Sequence, residues 1–416
     1  MHRHPHKPQE IIDAIVDCLY NDRQALSSCA LASRAFLPAS RQHLFKGVVV
    51  DGSCRPFDEF LLFLQDAPHL RHLVRDLYLT ARPAMAFAFT VYGSPGASLD
   101  LSVLAQILAL LPRLEALSIS GIILDRIPPT MTYIPSFHIP SGALVFLYVH
   151  SARDLFALLK LITCKHLSVH TINPTQVHDG NPAEITYPPN AEEVQKMSKL
   201  HVFPSELALE ELSLTLGRGN AWLGTAFKLT PSLHTITNLD VTWGCMEDVV
   251  AFGELLQAVG PCLKSLKLRI SQMQFIGLSV VEAIADLKLH ACSALTTLSF
   301  IVDTDEQVLE LMSSIVEVTS KTLSCFRLEW DRSVPAKMLL MSVAPNADHG
   351  PAERLEEALL RCHSLQEVHI KWHMLTDQLG EQEIKSGFKR LLSSVDEKTP
   401  LQFEIDFHVP NIRISI

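Results

Sequence analysis

Histidine is the side chain best suited to hold a metal or move a proton near neutral pH, and this chain carries nineteen of them. They are scattered. His2, His4 and His6 can chelate a stray cation, yet an alternating tract of this kind lacks the ordered ligand set and supporting partners of a metal site. His363, His369 and His373 sit at even separations, so a strand would put them on one face, but they lack a partner carboxylate at a recognisable spacing. A solvated surface without a metal is expected there. Gly217-Arg218-Gly219-Asn220 is a turn without a Walker lysine, and the sequence has neither a nucleophile elbow nor an HExxH helix. These residues predict no catalysis and no cofactor, so the chain is expected not to be an enzyme.

A second set of residues suits recognition. Where Leu, Val, Ile and Trp recur at every second position, the side chains between them share the opposite face of a sheet. These are Ser213 and Thr215, Asp240 and Thr242, Lys267 and Arg269, Ser299 and Ile301, Arg327 and Glu329, and His369 and Lys371. The later ones form a mixed column with a basic lean. Lys267, Arg269, Arg327, Glu329, His369 and Lys371 are the candidate substrate-binding residues, because an arginine fork suits an acidic or phosphorylated segment. An ordinary solvated sheet face is the competing reading.

Strands must carry that column, and a pattern of the form L-x-x-L-x-L recurs along the chain. Its middle position falls at Leu77, Leu117, Leu147, Leu167, Leu212, Leu239, Leu266, Leu298, Phe326 and Val368, with spacings from 20 to 45 residues. Helical periodicity fills the intervals at 57–65, 101–111, 154–162, 247–259, 280–292, 306–319, 353–361 and 381–395. One strand and one helix cannot bury themselves, so stacking must supply stability. Residues 401–407 alternate at period two and are expected to close the last edge, with Glu404 and Asp406 outward to discourage further pairing. Proline-rich stretches near 124–142 and 171–205 read as insertions without regular structure, and 346–351 as a shorter loop.

This pattern resembles an irregular leucine-rich repeat horseshoe, an α/β solenoid with parallel strands inside and helices outside. The polar column would then lie on its concave face. The Asn or Cys that the family places five residues past the middle Leu is replaced by Gly217, Gly244, Ser271, Asp303, Asp331 and His373. Apolar residues stand one place earlier, at Leu216, Trp243, Ile270, Val302, Trp330 and Trp372, and their equivalence assigns the tryptophans to the core.

The first forty-five residues read as three short helices. Pro8 and Glu10 suit a first turn, and Ile11, Ile12, Ile15, Val16 and Leu19 make one apolar stripe. Asn21-Asp22 breaks the stripe and caps a second helix bearing Ala25, Leu26, Cys29, Ala32 and Phe36, and Pro38 opens a third that ends at Leu44 and Phe45. A segment of about 40 residues seldom closes a core unaided, so part of this surface is expected to meet a partner or the rest of the chain. Pro8-x-Glu10-Ile11-Ile12-x-x-Ile15, Asp22 with Ala25-Leu26, and Leu31-Ala32-Ser33-Arg34-Ala35-Phe36 resemble the F-box, in the divergent form abundant in mushroom-forming fungi. Two positions depart from that family: Lys7 replaces the usual Leu, and Phe36 replaces the usual Trp. The resemblance implies that Pro8, Ile11, Ile12, Ile15, Leu19, Leu26, Leu31 and Phe36 bind a Skp-type adaptor and, through it, a cullin ligase.

Composition bounds the rest. The 416 residues are 48% hydrophobic and 19% charged, enough for an extended core. The longest apolar run, 101–111, is interrupted by Ser102 and Gln106 and falls short of the ~18 residues a membrane crossing needs. No signal peptide is visible, and nine cysteines without CxxC pairs fit free thiols in a reducing compartment, so a cytoplasmic or nuclear protein is expected. A net charge of −10 argues against broad nucleic-acid binding. The expected protein is a substrate-recruiting adaptor of an SCF-type (cullin-RING) ubiquitin ligase. Its F-box-like helical module (5–50) would hold the Skp-type adaptor, and its solenoid (51–416) an unknown protein substrate, with no nucleic acid and no membrane involved. Catalysis would reside in partner subunits. The alternative is a leucine-rich repeat interaction scaffold with a degenerate F-box and no ligase role.

Overall fold

The structure, a computed structural model, describes residues 9–81, 97–128, 133–174, 189–215, 220–243, 246–270, 284–302, 306–330, 351–374, 392–399 and 401–407. Two compact units divide the chain. Unit 1 comprises Met1–Leu167, Ile172–Ile185 and His201–Pro204, and unit 2 comprises Ser168–Thr171, Thr186–Leu200 and Ser205–Ile416.

Unit 1 begins with α1 (Gln9–Asp17), α2 (Arg23–Ala32) and α3 (Leu37–Lys46). Asp22 caps α2 by accepting the Ala25 N–H at 2.9 Å, and Pro38 sits in the first turn of α3, where its missing N–H costs nothing. Val16, Leu26 and Ala39 close a small buried cluster, against which Leu19, Phe36 and Leu44 pack. The third helix runs directly into β1 (Gly47–Asp51), which pairs in parallel with β2 (Asp76–Thr80). These helices are thereby tied to a sheet.

From β2 the sheet path passes to β4 (Ala116–Ser120), β7 (Ser141–Val149) and β9 (His166–Pro174), of which Ser168–Thr171 belong to unit 2. Along this stretch, sheet neighbours are not successive strands of the chain. The pair β3 (Ser98–Leu99) and β5 (Ile123–Leu124) branches off, and β6 (Phe137–His138) with β8 (Ile162–Thr163) forms a separate two-stranded sheet. Phe146 interrupts β7 with a left-handed φ of 50°. Residues 141–145 pair with β4, whereas Tyr148 pairs with Ile123 of β5. Gly142 consequently stands beside Leu117, where equal repeating units would have put Leu147. The crossovers include α4 (Phe57–Asp66), α5 (Leu101–Leu110) and α6 (Ala152–Leu161), whose buried faces carry Leu61, Leu64, Leu104, Ile107, Leu155 and Phe156.

In unit 2, after α7 (Ala191–Met197), the strands β10 (Glu211–Thr215), β11 (Asn238–Trp243), β12 (Ser265–Ile270), β13 (Thr297–Val302), β14 (Cys325–Trp330), β15 (Glu367–Met374) and β16 (Leu401–Phe407) pair in parallel. Leu212, Leu239, Leu266, Leu298, Phe326 and Val368 stand in one register row and are all buried. Parallel neighbours require a crossover. Here α8 (Trp222–Lys228), α9 (Met246–Val259) and the helices Glu306–Thr319 and Pro351–Leu360 supply it. Because the strands advance in one direction and such crossovers are right-handed, the helices gather on one face of the sheet. The turns before the strands are stitched by hydroxyls: Thr237, Thr296 and Ser324 donate to the carbonyls of Glu210, Lys264 and Thr296.

This architecture corrects the expected fold class. The chain is an α/β protein on a large, mostly parallel sheet with a branched strand path, not a three-helix F-box module followed by a leucine-rich repeat solenoid. The physical reason lies in the pattern itself. An apolar alternation followed by an amphipathic helix encodes which faces are buried, and any parallel strand–helix succession shares it. Nothing in that alternation requires equal units or a single unbranched path. Some expected features fall outside the described residues or side chains: the side chains of Trp243, Trp330, Trp372, Glu404 and Asp406, and most of the helix at 381–395. Val302, from the same set as the tryptophans, is buried.

Candidate functional site

The predicted polar column lies on the face of the unit-2 sheet opposite its helices. Leu266 and Leu268 flank Lys267, and Phe326 and Leu328 flank Arg327, and all four flanking side chains are buried. Register aligns Lys267, Ser299, Arg327 and His369 in one row and Arg269, Ile301, Glu329 and Lys371 in the next. The six candidate substrate-binding residues are therefore gathered on β12, β14 and β15. Ile301 departs from the expectation of an outward, solvated position, being only 2% exposed. It stands between Arg269 and Glu329 in register, and Lys267 reaches across β13 to Glu329 at 3.7 Å. Long charged side chains bury apolar surface beneath their aliphatic stems while keeping their heads in water.

At the other end of the face, His170 of β9 places Nδ1 2.6 Å from Thr215 Oγ1 and Nε2 2.5 Å from Ser168 Oγ. Burial pushes Asp240 above the ordinary 3.8, opposed by the charges of Lys267, Arg269 and His170. Burial also pulls His170 below its ordinary 6.5, while Asp240 acts the other way. A histidine with a depressed folded pKa contributes stability present above its unfolded pKa, and that contribution is lost as pH falls through the folded value. His170→Gln is expected to reduce the stability that unit 2 loses on acidification below pH 6.5. Urea midpoints on either side of that pH, in wild type and variant, measure this, and identical pH dependence would contradict it.

Beside the column, Cys325, Glu367 and His369 bring one ligand-type atom each within 4.8 Å of one another. The sequence pattern gives His369 no carboxylate partner. In fact Glu367, two residues earlier on the same strand face, sits 3.1 Å from it, and Cys325 of β14 lies beside Glu367 in register. Alternation alone could have paired Glu367 with His369, but Cys325 arrives only through strand pairing. Burial raises the Cys325 thiol, opposed by Arg327, and the His369 hydrogen bond holds Glu367 below the ordinary 4.5.

Elsewhere, Ile12 and Leu26 of the N-terminal set are buried and Leu19 and Phe36 pack on the helical cluster. Ile11, Ile15 and Leu31 are exposed, at 52%, 48% and 89%, and Pro8 lies outside the described residues. A polar cleft of about 650 Å³ in unit 1 is lined by His43, Lys46, His72, Arg75, Arg113 and Glu115 among others. Its charges are partly paired internally, His43 with Asp17 at 2.7 Å and Arg75 with Glu115 at 2.6 Å. Eight cysteines among the described residues are free, and burial pushes Cys164 up to about 12 and Cys292 and Cys362 up to about 11. Those three thiols are unreactive near neutral pH. Among the described residues no helix is long and apolar enough to cross a membrane.

The chain matches no family model and no curated protein. The branched parallel sheet overturns the F-box and leucine-rich repeat resemblance, the ubiquitin-ligase adaptor role drawn from it, and the repeat scaffold with a degenerate F-box. The helices exist, but their apolar spacing is common to small helical modules. Two of the residues expected to face an adaptor, Ile12 and Leu26, are spent on packing inside unit 1.

Proposed function

We propose that this protein is a binding protein rather than an enzyme, and that its second unit takes an acidic, phosphate-bearing peptide segment on the open face of its parallel sheet. The observation that carries this reading is the placement of Lys267, Arg269, Arg327 and Lys371, all part-exposed or exposed, in two adjacent register rows on a mostly polar face in which Ile301 alone of the described residues of the two rows is buried. Parallel sheets ordinarily have both faces covered by helices. A polar face opposite the helices leaves room for a ligand in that place. Arginine presents a planar fork that holds phosphate through two hydrogen bonds, and lysine adds a point charge.

Strand spacing sets the reach of the ligand. Neighbouring strands lie about 4.8 Å apart, so Lys267 and Arg327, with β13 between them, are separated by roughly 10 Å. A peptide in the polyproline II conformation advances about 3.1 Å per residue and returns every third side chain to the same face, so phosphates about three residues apart meet both cations. An array of doubly phosphorylated peptides with varied separations tests this. Binding is expected to peak near that spacing, to vanish without phosphate and to weaken with salt. Equal binding at every separation, or binding indifferent to phosphate, would count against the proposal.

A further inference from the structure

We infer that Cys325, Glu367 and His369 form a binding site for a divalent metal ion of the zinc class. This inference does not rest on the peptide-binding reading. It starts from strand geometry: Cys325 opens β14 and Glu367 opens β15, the two are register partners, and His369 follows Glu367 by two residues and so shares its face. A thiol sulfur, a carboxylate oxygen and an imidazole nitrogen thus converge within 4.8 Å. Zinc bonds of about 2.0–2.3 Å place neighbouring tetrahedral ligand atoms about 3.5 Å apart. Binding would therefore require the three side chains to close by about 1 Å from their present spacing.

The donor set selects the ion. One sulfur and one imidazole favour zinc and its neighbours, whereas magnesium and calcium prefer oxygen ligands alone. On binding, the Cys325 thiol gives its proton to solvent, and the thiolate and the Glu367 carboxylate together balance the dication. Three protein ligands leave the fourth position to water or to a donor from a bound molecule. Cys325 is 7% exposed while Glu367 is exposed, so the ion would enter from the carboxylate side and meet the sulfur at the floor.

Arg327 is the opposing group. It stands beside His369 in register, next along its strand face from Cys325, and its positive charge disfavours a cation there. Its side chain is exposed but hydrogen-bonded to Cys325, so metal binding must break that contact as well as overcome the arginine charge. This yields a signature that a merely structural cluster would not show: removing the arginine charge should tighten metal binding, whereas removing any of the three ligands should weaken it.

The test uses the full chain with His2, His4 and His6 replaced by alanine, since that tract can chelate independently. Cobalt(II) is the probe, because a thiolate ligand gives it a near-ultraviolet charge-transfer band. One equivalent is expected to bind with that band and to be displaced by zinc. Cys325→Ser should abolish the band, Glu367→Gln and His369→Ala should weaken binding at least about tenfold, and Arg327→Gln should strengthen it. Absence of the band in the parent protein, or its persistence in Cys325→Ser, would overturn the inference. If Cys325→Ser does not fold, the two variants at Glu367 and His369 decide, and unchanged cobalt affinity in both would overturn it.

Discussion

Phe300→Ala is expected to lower the stability of unit 2 by about 3–5 kcal/mol. Phe300 lies on β13 between Ser299 and Ile301, is wholly buried, and has its ring centroid 6.0 Å from that of Phe326. Truncation removes a large apolar surface and leaves a cavity that two flanking strands, β12 and β14, hold open. Ser299→Ala, one residue away on the opposite face, should change stability by less than about 0.5 kcal/mol. The contrast matters because the binding face is defined by that alternation. Urea unfolding followed by a unit-2 probe measures both, and comparable losses would contradict the assignment of faces.

Gly253→Ala is expected to destabilise, against the usual sign for a helix. Inside α9, alanine would ordinarily gain about 0.5–1 kcal/mol over glycine. A Cβ at Gly253, however, would lie 1.7 Å from the carbonyl oxygen of Asp286 and 2.7 Å from its carbonyl carbon. These are backbone atoms and cannot rotate away. Either α9 or the 284–286 segment must shift, so a net loss at the upper end of about 1–3 kcal/mol is expected, read as a lowered urea midpoint. A raised midpoint would show that the two backbones do not approach this closely.

Particular residues show how much of this was legible in the sequence. Leu212, Leu239, Leu266, Leu298, Phe326 and Val368 announced buried strand positions, because a half-buried strand writes its faces at period two. The cap at Asp22 and the helix start at Pro38 were equally local, since both depend on residues within one turn. Fold class was not local. Phe146 turns β7 toward β5 through one left-handed residue, and nothing in the type of Phe forecasts that conformation. The branch formed by β3 and β5 consists of two-residue strands, too short to carry a period. At the site, the basic lean of the column was readable, but the burial of Ile301 required knowing which long side chains arch over it. Cys325 and Glu367 became neighbours only once β14 and β15 paired.

The binding face is tested most directly by reversing its charge. A fluorescent peptide with two phosphoserines about three residues apart would be titrated by anisotropy against wild type and a Lys267→Glu, Arg327→Glu double variant. Far-ultraviolet spectra and urea midpoints would establish that the variant keeps its fold. Each lost charge-assisted hydrogen bond contributes about 1.5–3 kcal/mol, so affinity is expected to fall by at least about tenfold. A folded variant that binds the peptide as tightly as wild type would contradict the account.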